Sequence, residues 1–272
     1  MSSFDNIPAS AVVHPTVVLD PAAKIGENVK IGPFCVIGPD AVIGDGCELK
    51  SHVVIEGHVT LGQDNVLYPF VSLGVPQDLK YNGEPTELII GDRNTIREYA
   101  TLQLGTVQGN GKTVVGNDCL LMVGIHVAHD CVVGSNVILA NNATLAGHVT
   151  VGDHVLIGGL SAVHQFIRIG SHAVIGGMSG VESDVIPFGR VKGERAFLAG
   201  LNLIGLERRG FEKVQIRTLQ RAFNLIFGDE GTLDERLDLV EGDYKEDALV
   251  QQIVQFARGK DRFPLCQPSR KN

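Results

Sequence analysis

Four histidines in one stretch, His126, His129, His148 and His164, are the residues of this chain best suited to chemistry, with Asp130 and Gln165 beside them. An imidazole changes charge near neutral pH, so it can take a proton from an alcohol as a general base. Imidazoles brought side by side can instead ligate a metal ion. A turn histidine that meets only solvent is the plain competitor, and His52, His58, His154 and His172 lie at comparable places. Their spacing alone does not choose between base and ligand. What matters first is the scaffold that brings them together.

That scaffold is a repeat of six. From Val115 through Leu121, Val127 and Val133 to Val181, every sixth residue is a branched aliphatic. A period of six fits neither an α-helix nor the two-residue alternation of a long strand. It fits short strands broken by regular turns. Three hexads close one 18-residue triangular coil whose aliphatics point inward and stack on the next coil, which is the pattern of a parallel β-helix. Positions 127, 145 and 163 are then equivalent, and His129, His148 and His164 fall near one corner of three successive coils, roughly 4.8 Å apart. His126 ends the preceding hexad close by.

The same frame runs from Val13 to Leu73, breaks near 75–89, resumes at Ile90, and breaks again near 104–113. Both breaks are expected to be loops ejected from a rigid scaffold, where function tends to sit. After Pro187 the hexads stop. Residues 1–187 are therefore expected to form the β-helix and 188–272 a connector, over 188–198, followed by a helical domain. Apolar spacing predicts two helices parted by Gly210, a third opened by the capping box Thr232–Glu235, a fourth over 246–258, and a frayed tail over 263–272.

Composition narrows the classes. A net charge of −8 gives no general case for nucleic-acid or membrane-surface binding. No basic run followed by an apolar one opens the sequence, and no stretch approaches the roughly 20 apolar residues of a membrane span, which points to the cytoplasm. Four of the five cysteines, Cys35, Cys47, Cys119 and Cys131, take the small inward position of the hexad and read as reduced core residues. The 33 glycines read as turn chemistry.

Several stretches carry a resemblance. Gln77-Asp-Leu-Lys-Tyr81 with Gly83-Glu-Pro-Thr86, Gly105-Thr-Val-Gln-Gly109, His126-Val-Ala-His-Asp-Cys131, Leu139-Ala-Asn-Asn-Ala-Thr-Leu-Ala-Gly-His148, Ala162-Val-His-Gln-Phe166 and Gly205-Leu-Glu-Arg-Arg-Gly-Phe211 together resemble the UDP-N-acetylglucosamine O-acyltransferase family over nearly the whole chain. Hexads alone are shared with other acyltransferases and some zinc carbonic anhydrases. The resemblance implies a left-handed parallel β-helix with a C-terminal α-helical domain, although ordinary crossovers are right-handed. It implies a homotrimer with sites between subunits, no cofactor, and transfer of a (R)-3-hydroxyacyl group from acyl carrier protein to the 3-hydroxyl of a UDP-sugar.

Residue by residue, His129 matches the general base, Asp130 a group that orients it, and the Gly147 amide a donor to the oxyanion. Asp78 and Lys80 match sugar and phosphate contacts; His126, His148, His164 and Gln165 line the site. Asn202, Arg208 and Arg209 match contacts to the nucleotide and carrier, and Gly177 the floor of an acyl groove, with Met178 beside it. Gln103 and Ile204 depart from the family pattern, where a histidine and a glutamate are common. That leaves open an acceptor amine on a 2,3-diamino sugar, and a zinc-dependent hydratase remains the alternative chemistry.

Overall fold

The computed structural model describes residues 7–76, 81–259 and 262–269. Each hexad aliphatic ends a two-residue strand, such as Val132–Val133, Ile138–Leu139 and Thr144–Leu145, after which the chain turns. Two residues cannot bury a core alone, so the strands stack. Among the described residues they form three sheets of eleven, nine and eight strands, parallel except for one antiparallel pair, with Val127 beside Leu145 and Leu145 beside Val163. Strand amides bond to the next coil, as His126 N–H does to the Ala143 carbonyl at 3.0 Å. Leu121, Val127, Leu139 and Leu145 are wholly buried in the column this creates.

Each coil has three corners, at 129–130, 135–136 and 141–142 in the coil that carries His129, which are the first, second and third corners below. The second residue of each corner is left-handed and mostly not glycine: Asp130, His148 and Phe166 at the first corner have φ of 60°, 61° and 67°. That conformation costs about 1–2 kcal/mol for an ordinary residue, and ladder bonds on both sides hold it. The glycines after the aliphatics serve a different need. A Cβ on Gly134 would lie 2.9 Å from the Gly152 carbonyl carbon of the next coil, so the hydrogen admits close stacking rather than an unusual φ.

The two expected insertions are ejected at the first corner. Leu67 pairs with Ile96, 29 residues on rather than 18, so eleven residues leave the coil; Ile90 pairs with Val115, 25 on, so seven leave. The frame returns earlier than the sequence suggested, since strands Glu87–Ile90 and Lys112–Val115 begin inside the predicted breaks.

Residues 188–198 are more than a connector. Gly189–Lys192 pairs with the coil strand Val174–Ile175, and Phe197–Leu201 adds an antiparallel edge. Four helices follow: α1 (Leu203–Arg208), α2 (Lys213–Ile226), α3 (Leu233–Asp243) and α4 (Ala248–Arg258). The capping box opening α3 is formed by Thr232 and Glu235, as the sequence predicts. Buried Leu219, Ile226, Leu237, Val240 and Ile253 join them into a core.

The tail corrects the expectation of fraying over its described part, 262–269. Leu265 bridges to Asp184 and Pro268 to Leu198, and Cys266 is buried. Arg168 fastens the same region. It donates to the buried Asp184 carboxylate through Nε at 2.7 Å and lies over the Phe256 ring of α4. Among the described residues no helix is long and apolar enough to cross a membrane. All five thiols are buried, and burial pushes that of Cys131 up to about 12, so it is not a nucleophile.

Candidate active site

The first corner is where polar groups converge. Asp130 leaves the backbone at a left-handed position and turns its carboxylate under the second ejected loop. Oδ2 accepts from the Thr106 hydroxyl at 2.7 Å and from His129 Nδ1 at 2.8 Å. Oδ1 accepts from the amides of Thr106 and Asn110, at 3.1 and 3.0 Å, and the Asp130 amide donates to Thr113 Oγ1. Burial raises the Asp130 carboxyl, but the hydrogen bonds from Thr106 and His129 outweigh it and hold the group below the ordinary carboxylate range. It is an anion at neutral pH.

That anion fixes the histidine. A carboxylate only accepts, so His129 Nδ1 carries the proton and Nε2 keeps its lone pair. The ring lies over Gly147 of the next coil: a Cβ there would sit 2.5 Å from Cε1 and 2.6 Å from Nε2. Only glycine allows the contact. At matching positions of the second corner, the amides of Asn117 and Ser135 donate to Ser135 Oγ and Asp153 Oδ1. Among the described residues the Gly147 amide has no such acceptor.

His148 meets His129 edge to face with centroids 5.1 Å apart and stacks on Phe166 at 4.4 Å, below the Arg262 guanidinium. His126, one turn back on the same coil, bonds Thr101 Oγ1 at 2.8 Å. Burial depresses both imidazoles below their ordinary value; a protonated His129 adds to the effect at each, and Asp130 opposes it at His148. His164 departs from the expected column. It lies against Phe263 of the tail at 5.2 Å, and Phe166 takes its place above His148. Gln165 follows on the coil, half-buried, in the column of His129 and Gly147. Asp78 and Lys80 lie outside the described residues.

The remaining sequence-predicted residues sit on other corners. Asn202 caps α1 by accepting from the Gly205 amide and donates to the His172 carbonyl at 2.9 Å, at the second corner. Arg209 donates to the His154 carbonyl at 2.7 Å in the same column. Arg208 faces a cleft of about 520 Å³ between the last coils and α1, which Arg190 and Ile204 also line. Gly177 is exposed at the third corner, where a Cβ would come 3.3 Å from the Gly159 carbonyl, and Met178 beside it is 72% exposed. One chain therefore does not bring these groups to His129.

Sequence reasoning missed the groups that hold Asp130: Thr106, Asn110 and Thr113. Thr106 lies in the Gly105–Gly109 stretch that carries the resemblance, which was the available signal. Atoms of His129, Asp130 and His148 lie within 4.8 Å of one another, a spacing that a divalent ion could bridge. Both Asp130 oxygens are already engaged by hydrogen bonds, which disfavours that use.

Hexads stacked on three faces, with a carboxylate-held histidine at one corner, define a hexapeptide-repeat transferase. The model for bacterial transferase hexapeptides matches residues 22–57 and 112–147. That for Udp N-acetylglucosamine O-acyltransferase, domain 2, matches residues 184–266. An acyl-[acyl-carrier-protein]–UDP-N-acetylglucosamine O-acyltransferase of Caulobacter vibrioides is 54% identical over 95% of this chain and 99% of its own length. One from Rickettsia rickettsii is 58% identical over 93% of this chain and 97% of its own. The solved structure of LpxA from Acinetobacter baumannii superposes with a TM-score of 0.90 at 42% identity, covering 93% of this chain and 99% of that one. The chain belongs to the UDP-N-acetylglucosamine O-acyltransferase family. Its winding is left-handed. The right-handed rule describes a crossover that packs back on one twisted sheet; here two-residue strands return across two further sheets.

Proposed function

We propose that this chain transfers a (R)-3-hydroxyacyl group from acyl carrier protein to the 3-hydroxyl of UDP-N-acetylglucosamine, the step that opens lipid A synthesis, in the cytoplasm. The observation that carries the reading is the His129–Asp130 hydrogen bond of 2.8 Å, with Gly147 under the ring. His129 Nε2 takes the proton of the sugar hydroxyl as its oxygen attacks the thioester carbonyl. The carbon–oxygen bond forms, and the negative charge on the former carbonyl oxygen is met by the Gly147 amide. Collapse breaks the carbon–sulfur bond, and His129 returns the proton to the departing thiolate. Asp130 stays ionised and stabilises the imidazolium in between.

His126, His148, His164 and Gln165 line the acceptor side, and Asp78 and Lys80 supply sugar and phosphate contacts in this reading. A homotrimer completes the site. Predicted groups occupy three different corner columns of one chain, and apposed chains can join the first corner of one to the second and third corners of others. The third corner is suited to such an interface. Phe34, His52, Phe70 and Tyr99 stack as a row of rings along its edge, and Leu160 and Met178 are exposed on the same edge beyond Gly124 and Asn142, apolar surface of the kind that marks association. Gly177 on that corner would then floor the acyl groove. Arg208 and Arg190 give the cleft beside α1 the charge to hold a diphosphate.

The test is acyl transfer by chelator-treated protein supplied with hydroxyacyl carrier protein and the UDP-sugar. Product is expected without metal. His129→Ala should keep the melting temperature and the oligomer while kcat falls by about 10²–10⁴. Full turnover in that variant would remove the assignment of the base.

A further inference from the structure

Two imidazoles face one oxygen of Asp130. His129 Nδ1 stands 2.8 Å from Oδ2, and His148 Nε2 stands 3.8 Å from the same atom. The first distance is a hydrogen bond and the second is not. A protonated His148 would be drawn to the carboxylate, and a shift of about an ångström would let it compete with the His129 Nδ1 proton. Losing that bond would free the His129 ring and its tautomer. The charged groups that face His148 are Asp130, His129 and Arg262.

The restraint on His148 comes from the tail. Phe166 stacks on His148 at 4.4 Å with the two rings 12° from parallel, and the Arg262 guanidinium carbon lies 3.7 Å from the centre of the Phe166 ring. Two groups that near cannot share one face, so the ring is held between cation and imidazole. A guanidinium over an aromatic face is an attractive contact. Arg262 is exposed, and among the described residues no carboxylate pairs with it. The backbone just beyond it is anchored: the Asp184 amide donates to the Pro264 carbonyl at 2.9 Å, and the Cys266 amide to the Asp184 carbonyl at 2.8 Å. Asp130 favours protonation of His148; burial first, then a protonated His129 and Arg262, oppose it.

We infer that Arg262 is a positioning residue, which through the Phe166 ring holds His148 off Asp130 and leaves that carboxylate to His129. The inference rests on the acyl-transfer reading.

The experiment compares the unsubstituted protein with Arg262→Gln and Arg262→Lys, by kcat across pH and by NMR of the histidine rings. Arg262→Gln should move the acid limb of kcat to higher pH, with a loss of about threefold near pH 6 that shrinks toward about pH 8. His148 should titrate at a higher pH in that variant, and the His129 Nδ1 proton signal should weaken over the same range. Arg262→Lys keeps the charge and should restore most of the acid limb. In a His148→Asn background Arg262→Gln should cost nothing further, because the group it acts through is gone. Coincident pH profiles and His148 titrations in Arg262→Gln and the unsubstituted protein would overturn the inference. So would a raised KM at every pH that persists in the His148→Asn background, since Arg262 would then touch a reactant directly. The NMR needs no turnover: an unsubstituted protein inactive with every donor would overturn the transfer reading, and the His148 titration would still decide the restraint.

Discussion

A single hydrogen bond decides which nitrogen of His129 is free. Because Asp130 is ionised and accepts from Nδ1, the lone pair lies on Nε2, the atom that overhangs Gly147. The proposed base and oxyanion donor are thereby set on adjacent coils, and their separation follows from the coil spacing rather than from side-chain packing. Gly147→Ala tests this directly. A methyl at that place collides with the imidazole at 2.5 Å, so the ring must swing away from the backbone amide. The His129 side chain is 30% exposed and can turn toward solvent, so kcat is expected to fall at least tenfold while KM and the melting temperature change little. Steady-state kinetics with a thermal melt separates the two effects, and a variant as active as the parent would show the ring is not needed over Gly147. His126, His129, His148 and Asp130 were legible in the sequence because the hexad frame assigns every residue a face, whereas His164, expected in the same column, lies against Phe263. Thr106 was not, since its bond to Asp130 spans 24 residues and a loop that obeys no period.

At the scale of elements, α1 has only six residues, so its cap matters more than in a longer helix. Its cap is Asn202, which also ties it to the second corner through the His172 carbonyl. Asn202→Ala is expected to cost about 1–2 kcal/mol, read as a lower melting temperature; a purely ligand-contacting Asn202 would leave the free protein's stability unchanged. The same corner stores a pH response. His172 is stacked between His154 and Phe188 with Nδ1 buried and unpaired. Burial, then the charges of His154 and Arg209, lowers its pKa from 6.5 to about 4. A folded-state pKa depressed in this way leaves stability complete above about 6.5 and erodes it as pH falls toward about 4. His126 and His148 shift in the same direction, so His172→Phe should flatten part of the fall in melting temperature between those pH values. Phenylalanine already occupies this left-handed position at Phe166 and Phe188. An unaltered pH profile would remove His172 from the account. Elements with a period, the coils and the helices, were readable; the tail was not, because two isolated bridges hold it.

The whole molecule is a stack with unlike ends. At the C-terminal end, strands 189–201, the helices and the tail cover the last coils, and Arg168 and Asp184 fasten that cover. Toward the other end burial of the inward residues declines coil by coil. Ile37 and Ile31 are 2% exposed and Ile25 9%, while Leu19 and Val13 are only half-buried and the outward Val18 and Val12 are largely bare. Each coil is supported by its neighbours alone, so stability is a sum along one axis and not a property shared equally by all residues. Exchange of backbone hydrogen for deuterium should therefore run as a graded clock. Amides of the first two coils should label fastest, and protection should climb to a plateau before Ile125, with the helices labelling independently. Uniform protection from Val13 to Val181 would instead mean a single cooperative unit. A gradient has a practical meaning for His129: several coils can open and reclose at the far end, and the register of base, amide and anion is kept throughout.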